Sequence, residues 1–494
     1  MKKIVFIEPR SPDYHIFSRY RLPRLGTLIL GSILEQNGYY VKVFVEDMGD
    51  IDFKDVFDAD LVGISTITST APRSYALAAQ IKKYGIPVVM GGPHVTYLPD
   101  EALEYTDYVL RGEAEASIVD FVKALETGQG LGDVSGLSFK IGNEHFHNPL
   151  TVTCPDLDDI PFPDFSLIRE PIGKVRPVMT SRGCPFDCSF CVVTQMFGRN
   201  YRFRSKENVL RELRSIDPGQ VVFFYDDHFA ANKKRTKELL EMMIEEGVTP
   251  KWTAQVRVDI TKDKEMMELF RRSNCLYVYV GIESMNPKSL EAYNKKITVE
   301  EIESSISVFH EYGIRVHGMF VLGSDEDTVE TVRETAHFAK KNNLDTVQFM
   351  ILTPLPGTYQ YENMVKEGRL LTRDWGLYDA HHVVFEPKNM TPFELQVENI
   401  KALRSFYSIP QILKGISKMD LLGVLLKSYA RRLQSNWSSR NAYYYDVVKQ
   451  MSSETADRMN LTWEKTREDI ARRISEFKER GQKAMPKKRK ADRN

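Results

Sequence analysis

The sequence predicts an α/β protein: a doubly wound parallel sheet, then a partial six-repeat β/α barrel, then a helical C-terminal region. Three observations carry this. Short all-apolar segments alternate with Gly-terminated amphipathic segments up to about Leu125. Six further strand-plus-helix units follow, and beyond Pro356 the pattern turns helical and aromatic. Unbroken apolar runs of strand length between helices are the mark of parallel strands buried on both faces. A chain of 494 residues has room for about three domains. A net charge of −1 with 27% charged residues points to neither nucleic acid nor membrane as a partner. Five cysteines, an odd and small number, exclude a disulfide framework and fit a reducing compartment.

The first strand is KKIVFIE. Its apolar run, Ile4 to Ile7, ends at Glu8 and Pro9, too soon for a signal peptide. LGTLILGSILEQNGY follows as a helix ending at Gly38, then the strands VKVFVED and DLVGIST. SYALAAQIKKYG is a helix closed by Gly85, IPVVMGG and YVLRG are strands, and ASIVDFVKALETG is a helix closed by Gly128. Sheets of this kind bind ligands outside the carboxyl ends of their strands. The loops there hold Ser65, Thr66, Thr68, Ser69 and Thr70 after one strand and Gly91, Gly92, Pro93 and His94 after the next. The plainer alternative is that these are helix caps and tight turns. Periodicity then lapses: GLGDVSGLSFKIGNEHF reads as a small hairpin, and Pro155, Pro161 and Pro163 mark an extended linker.

The barrel strands are PVMTSRG, QVVFFYDD, KWTAQVRV, CLYVYVGIES, IRVHGMFVLG and TVQFMILTP. Helical patterns such as KRTKELLEMMIEEG separate them, and the chemistry of such a barrel belongs at the carboxyl ends of its strands. The expected domains are 1–130, 131–175 as linker with hairpin, 176–360, 361–480 and a basic tail, 481–494. No window approaches the roughly 18 apolar residues of a membrane span, so the expected compartment is the cytoplasm.

Directly after the first barrel strand stands SRGCPFDCSFC. Cys184, Cys188 and Cys191 can bring three thiolates around one soft-metal centre from a single loop. Structural zinc usually takes four protein ligands, so three cysteines favour an iron-sulfur cluster with one open iron. Zinc completed by Cys154 or a histidine is the alternative. Cys154 itself reads as a free thiol and Cys275 as a small buried hydrophobe.

This cysteine loop resembles that of the radical S-adenosylmethionine (radical SAM) superfamily. The resemblance implies a 4Fe-4S cluster on Cys184, Cys188 and Cys191, with S-adenosylmethionine chelating the fourth iron. It also implies an S-adenosylmethionine site formed by Phe190, by Asp226 and Asp227 in FFYDDHF, by Arg257 in QVRVD and by Glu283 in VGIES. Here Asp226 and Asp227 stand where the superfamily usually has Gly-Gly-Glu. Gly318, Gly323 and Pro354 extend the likeness.

Because a doubly wound domain precedes the barrel, the chain from Lys2 to about Pro387 resembles the subgroup with an N-terminal cobalamin-binding domain. LPRLGTLILGSILEQNGY, DLVGISTITST, GGPHVT and RGEAE carry that likeness. It implies cobalamin, as methylcobalamin, against Ser65, Thr66, Thr68, Ser69, Gly91, Gly92, His94, Gly112 and Glu113. The Asp-x-His-x-x-Gly signature of cobalamin mutases is absent, so no histidine from that motif ligates cobalt.

The implied chemistry is reductive cleavage of S-adenosylmethionine, hydrogen abstraction from an unactivated carbon, and in many members methylation of that carbon. Expected partners are a small or lipid-like substrate and a reductant such as ferredoxin or flavodoxin, with no specific nucleic acid. Cyclisation or ring rearrangement without methyl transfer is the alternative within the subgroup. A non-catalytic zinc regulator is the alternative outside it. A methylthiotransferase would need three further cysteines before residue 154, where there are none. Tyr225, Tyr279 and Tyr359 are candidate proton donors by position only. FYSIPQILKGISKMDLLGVLLKSYARRL sets apolar residues at helical spacing beside Lys and Arg, as a packed cap or as a surface for lipid or membrane. PKKRK in the tail reads as a solvated basic end.

Overall fold

The computed structural model describes residues 1–11, 22–150, 156–199, 201–417 and 419–456. Cys154 and the basic tail lie outside the described residues. The first sheet contains β1 (Lys3–Glu8), β2 (Tyr40–Val45), β3 (Leu61–Ser65), β4 (Val88–Gly91), β5 (Tyr108–Leu110), β6 (Leu137–Ile141) and β7 (Glu144–His147). Its order is β2-β1-β3-β4-β5-β6-β7, parallel from β2 to β5. The chain leaves β1 in one direction to reach β2 and crosses back to reach β3. That reversal opens a crevice above the carboxyl ends of β1 and β3, where such sheets bind ligands. Helices cover both faces, as the apolar runs require: Leu28, Ile29 and Leu34 of helix Leu25–Gln36 are buried on one side, Leu77, Ala78 and Ile81 of helix Ala71–Lys82 on the other.

Residues 131–175 are more than a linker. The expected hairpin forms, but β6 pairs antiparallel with β5, so the sheet continues to His147. Downstream, Leu157, Ile160, Phe165 and Leu167 are buried in the core beside helix Leu25–Gln36, and Ile168 bridges Val43. The prolines prevent helix here, and the apolar residues between them dock instead.

The second sheet is formed by β8 (Val175–Val178), β11 (Val221–Phe224), β12 (Trp252–Val256), β13 (Cys275–Glu283), β14 (Arg315–Leu322) and β15 (Thr346–Ile351). Between β8 and β11 lie the two short strands β9 (Ser181–Arg182) and β10 (Arg202–Phe203), which pair with each other. The six long strands are parallel in the order β15-β14-β13-β12-β11-β8, a barrel left open between β15 and β8. Val222, Phe224, Ala254, Val278 and Val280 join the core against the surrounding helices, while alternate residues face inward.

The C-terminal region seals this structure. Helix Pro392–Phe406 packs beside β15 and contributes Leu395, Leu403 and Phe406 to the barrel core. It also protects the edge of β15. The Tyr407 hydroxyl accepts from Val347 N at 2.9 Å and donates to Val347 O at 2.6 Å, and Asn399 Nδ2 donates to Phe349 O at 2.9 Å. Backbone groups open to strand addition are thereby satisfied by side chains. Trp375, Leu377, Tyr378, Tyr444 and Val447 instead join the core of the first domain. Among the described residues no helix is long and apolar enough to cross a membrane.

Candidate active site between the two sheets

The carboxyl ends of both parallel sheets point into one cavity of ≈ 360 Å³. Ser65, Gly91, Gly92 and Gly112 line it from the first sheet; Met179, Ser181, Arg182, Tyr225 and Asp227 line it from the barrel. Arg24, preceding helix Leu25–Gln36, crosses the crevice and donates from Nη1 to Ser65 O at 2.8 Å. Its backbone N–H donates to the buried carboxylate of Glu8 at 3.0 Å, and Thr27 Oγ1 donates to the same group. Gly92 has φ +102°, and a Cβ there would stand 2.7 Å from Thr66 O. A glycine is needed for that turn.

Five of the nine residues expected at cobalamin line the cavity: Ser65, Gly91, Gly92, Gly112 and Glu113. Thr66, Thr68, Ser69 and His94 do not. The chain after Ser65 turns into a 3-10 helix, Thr68–Thr70, that leads it down into helix Ala71–Lys82. Thr68, Ser69 and His94 are buried beneath it. His94 Nε2 lies 3.1 Å from Tyr75 OH, Nδ1 lies 3.4 Å from Thr68 Oγ1, and the ring meets Trp375 edge-on at 5.1 Å. His94 therefore joins the C-terminal region to the first domain. Composition alone gave these small polar residues the same reading whichever way the turn ran.

The cysteine loop follows β9. Cys184, Cys188 and Cys191 are free and half-buried, and Cys191 N donates to Cys188 O at 3.0 Å. Burial pushes all three thiols up, Cys191 to about 12, while the positive charge of Lys295 opposes this at Cys184 and Cys188. Such thiols become thiolates when a metal binds. A 4Fe-4S cluster takes one cysteine per iron, and a loop with three cysteines and no fourth suits a cluster with one open iron. Phe190 packs edge-on against Tyr293, with centroids 5.0 Å apart, and walls the loop on the barrel side.

Asp226 and Asp227 divide the work expected of both. Asp226 is fully buried; it accepts from Thr180 Oγ1 at 3.0 Å, from Thr180 N at 3.3 Å and from Ser181 Oγ. It ties β11 to the root of the cysteine loop and is not free for a ligand. Asp227 lines the cavity, and burial together with the Asp226 charge pushes its carboxyl up to about 7. Arg257, just past β12, lays its guanidinium over Phe186 of the cysteine loop at 4.0 Å. Its Nε approaches Asp259 Oδ1 only to 3.7 Å and has no hydrogen-bond partner; His228 Nδ1, also buried, has none. His228 stacks on the same Phe186, 5.7 Å between centroids. Two orphaned polar atoms beside the cysteine loop fit a site that takes a polar ligand.

Glu283 ends β13 at a register shift, with φ +64°. Backbone strain of this kind concentrates at functional sites. Its carboxylate pairs with buried Lys295 at 2.8 Å. Sequence reasoning missed Lys295, His228 and Phe186, and also Arg182 and Arg202, which grip Glu113 at 2.5 and 2.8 Å. Arg182 reaches Glu115 as well, at 2.7 Å. Only the position of Arg182 beside the cysteine loop could have marked it.

Comparison with known proteins bears directly on this two-sided site. Residues 178–339 match the radical SAM superfamily and residues 17–122 the B12 binding domain. Over 412 residues the chain is 34% identical to an uncharacterized methyltransferase of Pyrococcus horikoshii, covering 79% of this chain and 89% of that protein. This chain belongs to the cobalamin-dependent radical SAM enzymes. Its cofactors are accordingly a 4Fe-4S cluster, S-adenosylmethionine and cobalamin. A second relative of this radical SAM enzyme, 29% identical over 448 residues, is the bacteriochlorophyllide d C-12(1)-methyltransferase of Chlorobaculum tepidum, with 87% and 94% coverage. A third, 28% identical over 434 residues with 82% and 70% coverage, is the anaerobic magnesium-protoporphyrin IX monomethyl ester cyclase of Cereibacter sphaeroides. Among solved structures, the radical SAM methyltransferase TsrM of Kitasatospora setae, with cobalamin and a 4Fe-4S cluster bound, shares the fold. Its TM-score is 0.64 at 18% identity, covering 74% of this chain and 75% of that one.

Proposed function

We propose that this radical SAM enzyme is a C-methyltransferase that modifies an unactivated carbon of a small or lipid-like molecule. The observation that carries the reading is the shared cavity, with the Gly91–Gly92 turn on one wall and the strand leading to the cysteine loop on the other. The hydrogen-abstracting and methyl-donating chemistry comes from the bound cluster, S-adenosylmethionine and methylcobalamin. The chain contributes placement. Cys184, Cys188 and Cys191 would hold the cluster, and Arg257, whose buried Nε has no hydrogen-bond partner, and Glu283 would meet the polar ends of S-adenosylmethionine. Ile64, Met90 and Leu110 give the cavity an apolar wall that keeps water from a reactive carbon. Asp227, raised to about 7, is able to hold or release a proton there near neutral pH.

An aromatic series runs from the cavity into the barrel. Tyr225 meets Phe223 at 5.7 Å, Phe223 meets Tyr279 at 5.6 Å, and Tyr279 meets His317 at 5.2 Å. Such a wall favours an apolar or flat substrate. Ring closure without methyl transfer is the second reading, supported by the similarity to the anaerobic cyclases. A one-electron donor of the ferredoxin or flavodoxin kind and a cytoplasmic setting complete the proposal.

The test incubates reduced, reconstituted enzyme with methyl-labelled S-adenosylmethionine, cobalamin and candidate substrates. Label in the product together with 5′-deoxyadenosine, both abolished by Cys191→Ala, is the expected result. Product lacking label transfers the reading to cyclisation. An intact protein that holds zinc and no iron overturns both.

A further inference from the structure

We propose that the helical hairpin of Ile409–Ser417 and Leu421–Arg440 docks the enzyme on the surface of an anionic lipid bilayer. No residue of the first helix is buried. Leu413, Ile416, Met419, Leu421, Leu425 and Tyr429 are exposed by 47 to 86%. Here the exposed large apolar side chains fall at helical spacing on two adjoining helices. Scattered apolar residues are ordinary on a protein surface; a contiguous group marks an interaction face.

The charge around this face selects the partner. Lys414, Lys427, Arg431 and Arg432 flank it, and its one acid, Asp420, is neutralised by Arg315 at 2.5 Å. Next to Met419 and Leu421 opens a groove of ≈ 660 Å³ lined by Lys340, Lys414 and Lys427, and its two carboxylates, Asp345 and Asp420, are both paired with Arg315. Apolar side chains with lysines at their margin are the pattern of a helix lying in a bilayer interface, with cations at the headgroup level.

The hairpin is also tied to the barrel by side-chain hydrogen bonds. Asp420 caps the second helix through Gly423 N at 3.0 Å, and Lys414 Nζ donates to Asn343 Oδ1 at 2.9 Å. Arg431 Nη1 donates to Tyr407 O at 3.2 Å. The exposed face is therefore a built surface of the folded enzyme. Arg315 opens β14 and Asp345 precedes β15, so the hairpin sits at the amino-terminal end of the barrel, away from the cysteine loop. Docking there leaves the catalytic end untouched. The inference does not rest on the substrate class proposed above.

The test is flotation of the full-length holoenzyme with phosphatidylcholine vesicles, with and without about one third phosphatidylglycerol. Expected is co-flotation with the anionic vesicles that weakens as salt rises. Replacing Leu413, Ile416, Leu421 and Leu425 together by Ser is expected to cut it at least about tenfold. Melting temperature and oligomeric state should stay unchanged. Lys414→Gln with Lys427→Gln, which keeps the apolar face, is expected to erase the preference for anionic over neutral vesicles. Absence of flotation by the wild type, or equal flotation by the four-serine variant, overturns the proposal. So does a wild-type dimer that the four-serine variant turns into a monomer, because a second copy would then cover the face.

Discussion

Two buried histidines, His228 and His317, are expected to carry a response of the fold to acid. His317 faces into the barrel with Nδ1 2.6 Å from Thr346 Oγ1, an oxygen that also meets the Tyr277 hydroxyl. Burial pushes His317 down to about 4 and, with the charges of Arg257 and Lys295, His228 down to about 3. Both folded-state values lie below the ordinary 6.5. The neutral rings therefore stabilise the fold above pH 6.5, and that contribution is lost progressively as pH falls from 6.5 to the depressed values. For His317 the amount is about 3 kcal/mol. A fall in melting temperature between pH 7 and pH 4.5 is expected, and His317→Gln should flatten it measurably in a pH series of thermal scans. This dependence was not legible in the sequence, because a histidine in HGMF looks the same facing the barrel interior or the solvent. The cysteine loop was legible because its meaning lies in spacing along eight residues. Lys295 was not, since its pairing with Glu283 arises only when two loops meet above the barrel.

At the scale of elements, all six barrel strands and the five parallel strands of the first sheet were readable, because unbroken apolar runs between Gly-closed helices survive any detail of packing. The turn after β3 was not: its Ser and Thr hydroxyls serve a cap or a ligand equally well, and the 3-10 helix decides. Edge protection of β15 was equally hidden, as it depends on Tyr407 returning from a helix 60 residues away. Tyr407→Phe removes the partner of a buried N–H and carbonyl while keeping the ring. A loss of about 1 to 3 kcal/mol is expected, to be read by denaturant unfolding. Cluster content should be unaltered, since Asn399 and the helix itself remain in place.

At the scale of the molecule, the two sheets are fastened across the cavity by Arg182 and Arg202 on Glu113, and by Arg182 on Glu115. Burial would raise the Glu113 carboxyl, yet the two guanidinium groups outweigh it and hold it below the usual range. A second fastening lies on the far face, where Trp375 Nε1 donates to Glu101 at 2.7 Å beside His94. Arg182→Met leaves Glu115 without this buried partner, and breaking such a pair costs about 3 to 5 kcal/mol. Faster proteolysis between residues 147 and 175 and reduced retention of cobalamin on gel filtration are the expected signs. Unchanged retention would mean that the Arg202–Glu113 pair and the Trp375 contact suffice to set the spacing of the sheets.

The cavity has one wall from each sheet, and this has a thermodynamic consequence. A molecule that touches both walls binds the closed arrangement and has nothing comparable to bind when the domains part. It then acts as a removable cross-link, adding about 2.7 kcal/mol to cohesion at a hundredfold excess over its dissociation constant. For such a ligand, loading and assembly of the two halves are a single equilibrium, in which scarcity of the ligand is felt as looseness of the whole enzyme.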